Sequence, residues 1–135
     1  MAYLKSQNYN SKIKSNNVKV RSYELSLKII SFVNSLPNKR VFRIIEDQLL
    51  RAITSIGANL IEAQASSSKR EFINYYQISL KSANEVKYWL SLLRDSYSTQ
   101  NKQCQELLDE TTEISKMIAS SVLTLKGKKV ISFEM

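Results

Sequence analysis

Apolar side chains return every three or four residues along most of this chain, the spacing that places them on one face of a helix. Leu25, Ile29, Phe32 and Leu36 make the first stripe, which Pro37 ends, and they predict a helix over residues 22–36. Phe42, Ile45, Leu49, Ile53, Ile56 and Leu60 make the second, opened by Asn38 as N-cap and reaching about Ala63. A third helix opens at Ser68. Ser68-Lys69-Arg70-Glu71 has the form of a capping box, and Phe72, Tyr76, Ser79, Ala83, Val86 and Leu90 line the inner face as far as Arg94. Leu107, Ile114, Ile118, Ser121 and Leu125 mark a fourth over residues 100–126, with Gly127 as its stop. No segment alternates with the period of a strand. With two glycines and one proline the chain has few places to turn, so its elements are few and long. The pattern predicts an all-α, antiparallel up-down-up-down four-helix bundle over residues 22–127. A basic N-terminal arm (1–21) precedes it and a short tail (128–135) follows.

Polar residues are also spaced regularly. Arg51, Ser55, Asn59 and Glu62 fall on one strip of the second helix, beside its apolar face. A line of polar groups flanking a core points to hydrogen bonds between packed helices or subunits, with Glu85 of the third helix as a partner. Gly57, inside the same helix, costs about 1 kcal/mol relative to alanine, and a closely approaching helix would explain it. Tyr88, Trp89 and Leu92 fall away from the inner stripe of the third helix. A helix apolar on two sides in so small a bundle predicts burial against another subunit, so these three are the expected oligomer interface.

Several of these residues carry a resemblance. Arg51-Ala52, Ser55-Ile56, Asn59-Leu60 and Glu62-Ala63 follow the signature that ends the second helix in the family of the 23S rRNA intervening-sequence protein. Ser68-Lys69-Arg70-Glu71-Phe72 is similar to the joint that opens that family's third helix. Leu36-Pro37 and Lys81-Ser82-Ala83-Asn84-Glu85-Val86 match further elements in order. The chain departs from the family at Ala63 and Lys81, which replace glycines, and at Ser66, where a basic residue is common. The resemblance spans residues 22 to about 125. It implies a homopentameric barrel of bundles associated with rRNA intervening sequences in bacteria, with no established activity. It also implies kinship with the accessory variability determinants of diversity-generating retroelements, and so a reverse transcriptase as a further partner.

Charge points the same way. Twenty basic and twelve acidic residues leave a net charge of +8. The imbalance lies in residues 1–51, with ten Lys/Arg against three Asp/Glu. A polyanionic partner fits, RNA or a ribonucleoprotein before all others. The expected contacts are Lys12, Lys14, Lys19 and Arg21 of the arm, Arg40 and Arg43 of the second helix, and Lys69, Arg70 and Lys81 along the third, where Tyr88 offers a ring on the same side. Asp47 dilutes the Arg40–Arg43–Arg51 strip, so a surface salt-bridge ladder there is as well supported as a phosphate track. Lys126, Lys128 and Lys129 extend the basic fringe.

Catalysis has little to draw on. The chain has no histidine and a single cysteine, Cys104, so ordinary zinc sites are excluded and a serine or cysteine nucleophile would lack an imidazole base. No glycine-rich phosphate loop is present. Glu106, Asp109, Glu110 and Glu113 read as a solvated face of the fourth helix. The expectation is a non-enzyme without cofactor or metal. The lone cysteine, and the absence of a signal-peptide core or an 18-residue apolar run, predict a cytoplasmic protein without a membrane partner. A protein-interaction scaffold that ignores nucleic acid is the alternative reading.

Overall fold

The computed structural model describes residues 16–97, 99 and 101–127 of the 135. They form four helices: α1 (Val18–Asn34), α2 (Arg40–Gln64), α3 (Lys69–Ser96) and α4 (Asn101–Leu125). Consecutive helices run antiparallel. α3 packs extensively against α2 and α4, whereas the shorter α1 lies more thinly across the other side of the same pair. At a rise of about 1.5 Å per residue, α1 covers only about two-thirds of the length of α2. Among the described residues, the end of the bundle where α2 stops, α3 starts and α4 stops is therefore three helices thick.

The predicted stripes form the core. Leu25, Ile29 and Phe32 of α1 meet Leu49, Ile53, Ile56 and Leu60 of α2, Val86, Leu90 and Leu93 of α3, and Ile114 and Ile118 of α4, all fully buried. Cys104 is buried among them, and burial pushes its thiol up to about 11.

Helix ends differ from expectation in instructive ways. α1 begins at Val18, not Ser22, because Asn17 caps it: its Oδ1 accepts from the backbone N–H of Lys19 at 3.0 Å. Lys19 and Arg21, expected in the arm, are thus helical. Asn38 does not cap α2. Its Oδ1 accepts from Arg43 Nη1 at 2.8 Å, while the N-cap position falls to Lys39, whose side chain makes no capping bond. Ser68 does cap α3 through the N–H of Glu71 at 3.1 Å, but the Glu71 carboxylate accepts from Ser67 Oγ. Gly127, with φ +72°, ends α4 in the left-handed region that glycine favours.

Gly57 corrects the sequence reading. Nothing lies within 4 Å of where its Cβ would be, so close helix approach does not account for it.

Candidate nucleic-acid interface

Serine hydroxyls set the register of α2 against α3. Ser79 Oγ donates to the Ile56 carbonyl at 2.8 Å, and Ser82 Oγ to Ser55 Oγ at 2.8 Å. Asn59 Nδ2 reaches the Ser55 carbonyl at 2.8 Å and Ser55 Oγ at 3.0 Å. Ser55 and Asn59 are therefore part of a brace between α2 and α3. Arg51, Glu62 and Glu85 are not. All three are exposed, and their side chains make no hydrogen bond or ion pair with the described residues. Sequence spacing placed Arg51 and Glu62 on the strip of Ser55 and Asn59, but it could not tell that these two side chains stay exposed while the serines bond across the seam.

The expected contacts on nucleic acid separate into three groups. Lys12 and Lys14 lie outside the described residues, as do Lys128 and Lys129. Arg21 is withdrawn from any such role. It is 5% exposed, its Nε and Nη2 donate to the two Glu110 oxygens at 3.1 and 2.7 Å, and its Nη2 lies 2.9 Å from Glu113 Oε2. Those carboxylates raise its pKa above the usual arginine value despite the opposing effect of burial. Glu110 and Glu113 are thus not merely a solvated face, since they anchor α1 to α4. The reading failed because the arm boundary was set past Arg21, hiding a cation that faces an acidic helix 89 residues away.

The third group is exposed. Arg40 and Arg43 stand at the start of α2, and no salt-bridge ladder forms among Arg43, Asp47 and Arg51. Lys69 and Arg70 occupy the first turn of α3, and Lys81 lies further along it on the same side. The fold then adds what the sequence did not join. Lys126, just past α4, comes to the start of α3, where Ser68, Lys69, Arg70, Asn74, Gln77 and Lys126 line an open cleft of about 870 Å³. The helix dipole at this end already favours anions. Glu71 also lines the cleft and is its one acid.

Tyr88 is exposed, its ring perpendicular to that of Trp89 at 5.0 Å. The Phe42–Tyr97 ring contact at 5.2 Å and the Ser55–Ser82 bond fix the pairing of α2 with α3. In that register Val41 lies level with Tyr97 and Ile44 near the level of Leu92, on the flank of α2 and α3 that also carries Trp89 further along. Val41 and Ile44 are 57% and 54% exposed. The apolar surface expected from Tyr88, Trp89 and Leu92 is therefore wider than the sequence showed, because Val41 and Ile44 lie off the α2 stripe.

These features define a class: an all-α four-helix bundle with a basic end and an apolar flank, and no helix among the described residues long and apolar enough to cross a membrane. The chain belongs to the 23S rRNA-intervening sequence protein family, whose model matches residues 14–120. It is similar to a solved protein of unknown function from the S23 ribosomal protein family of Bacteroides thetaiotaomicron VPI-5482. That protein shares 37% identity and a TM-score of 0.72, over 78% of this chain and 94% of the other. No curated protein matches the chain.

Proposed function

We propose that the protein is a non-catalytic, homo-oligomeric bundle that binds structured RNA, free or within a ribonucleoprotein, through phosphate contacts. The observation that carries this reading is the cleft where Lys69 and Arg70 of α3 meet Lys126 at the end of α4. Cations from two elements converge at a helix N-terminus, on the end of the bundle that α1 leaves uncovered. Such a surface positions a phosphate backbone without reading bases. Lys81 and the Tyr88 ring continue the track along α3.

The apolar flank of Val41, Ile44, Trp89 and Leu92 is the surface for a second copy. Repetition of the basic end around an oligomer turns weak contacts into avidity. The number five is what the family resemblance implies, and a reverse transcriptase is one form the ribonucleoprotein would take.

Electrophoretic mobility shifts with a structured RNA across a salt series test the reading. Binding is expected to fall steeply with salt. Reversing Lys69, Arg70 and Lys81 to glutamate lowers affinity at least about tenfold and flattens the slope. Flat salt dependence of the wild type would overturn the mechanism. Light scattering of Ile44→Asp/Leu92→Asp is expected to give a 15.5 kDa monomer. An unchanged mass would remove this flank from the assembly.

A further inference from the structure

On the α3–α4 seam a lysine sits half-buried with no acid to meet it. Lys87 Nζ donates to Ser115 Oγ at 3.2 Å. Ser115 is itself buried and donates onward to the Thr112 carbonyl at 2.9 Å, so this relay ends on backbone. An ammonium has three protons to give, and Ser115 takes one. Buried cations are ordinarily met by a carboxylate. Here the neighbouring charge on α4 is another cation, Lys116.

The acids within reach along the chain are committed or turned elsewhere. Asp109 accepts from Gln105 Nε2 at 2.9 Å, and Asp95 pairs with Arg94 at 2.8 Å. Glu113, one turn before Lys116, meets Arg21 of α1, and Glu85 lies on the α2 side of α3. Neither Lys87 nor Lys116 has a carboxylate within salt-bridge distance among the described residues. Burial first, and Lys116 second, hold the Lys87 pKa below the usual lysine range. Lys116 follows Ser115 on α4, which puts a second ammonium on the Lys87 side of the seam, and two such groups form a site for a group carrying at least two anionic oxygens.

We propose that Lys87 and Lys116 form an oxyanion site on the α3–α4 seam that takes one phosphate group, and that in the RNA-bound protein this group is a backbone phosphodiester. The second clause rests on the RNA reading above; the first does not. A phosphate oxygen there satisfies the remaining Lys87 protons and removes the like-charge repulsion. Lys87 turns toward α4 about a third of a turn round α3 from Lys81, so the site adds a contact on the α4 side of the basic track.

Competitive acylation of lysines with acetic anhydride, read by mass spectrometry, tests the site directly. Inorganic pyrophosphate is expected to slow labelling of Lys87 and Lys116 relative to Lys102, and a structured RNA to do the same. Lys116→Met is expected to weaken pyrophosphate protection of Lys87. In mobility shifts, Lys87→Met/Lys116→Met is expected to bind RNA about tenfold more weakly, with the magnitude of the salt slope lower by about one. Circular dichroism should show an intact bundle, because no carboxylate loses its partner. If RNA binds the wild type but neither labelling nor the double variant responds, the site is overturned and the RNA reading stands. If pyrophosphate protects both lysines and RNA does not bind, the oxyanion site stands and the phosphodiester clause falls. Labelling indifferent to pyrophosphate and to RNA overturns both clauses.

Discussion

The two seams that hold the outer helices use opposite chemistry. Between α2 and α3 the contacts are short and uncharged: Ser79 on a carbonyl, Ser82 on Ser55, and Ala83 fully buried beside them. Between α1 and α4 a guanidinium reaches two carboxylates and the Met117 sulfur. The first seam draws its strength from backbone closeness and apolar burial, with each hydroxyl adding about 1 kcal/mol. The second buries a charge, whose desolvation offsets much of the attraction, and so depends on every partner being present. A packed seam loses strength in small steps, whereas an ionic one fails when one member is removed.

The sharpest break in that contrast is Arg21→Ala. It removes the guanidinium that bridges Glu110 and Glu113 to α1 and is expected to cost about 2–3 kcal/mol, less than a fully buried pair because Glu113 is half exposed. Denaturant unfolding gives the loss. Hydrogen exchange should place it first in α1, and a uniform rise in exchange over all four helices would contradict the picture of two unlike seams.

Next comes a gain on the same helix. Ser22 is fully buried and its hydroxyl has no hydrogen-bond partner among the described residues. Ser22→Ala removes that desolvation penalty and should stabilise by about 1 kcal/mol. On the packed seam, Ser79→Ala is expected to cost about 1 kcal/mol, since the Ile56 carbonyl loses one of its donors. Ser82→Ala should cost less, because Ser55 still accepts from Asn59. Losses on the packed seam as large as that of Arg21→Ala would erase the distinction. The smallest effect is expected from Gly57→Ala. With open space at the Cβ position, it should raise stability by roughly 0.5–1 kcal/mol through backbone entropy, seen as a higher Tm.

The fold was legible because periodicity reports which face of a helix is dry, and Leu49, Ile53, Ile56 and Leu60 are fully buried as their spacing required. The candidate site was legible in halves. Lys69, Arg70 and Lys81 share one helix and could be read along it, whereas Lys126 and Lys116 reach α3 only through packing. Spacing within one helix is local information. Which residues two antiparallel helices bring together depends on a register set by side-chain volumes, as Ser55–Ser82 shows. The same limit concealed Arg21, whose partners lie on the last helix to be made.

The joints between consecutive helices, at 35–39, 65–68 and 97–100, are short. Three of the four seams therefore close between neighbours in the chain and can form early. The α1–α4 seam, where Arg21 meets Glu110 across 89 residues, has a larger loop-closure entropy to overcome than the three seams between neighbours. It is expected to form after the folding transition state, so Arg21→Ala should leave the refolding rate nearly unchanged and speed unfolding instead. The ion pair would then govern how long the folded bundle lasts rather than how quickly it appears.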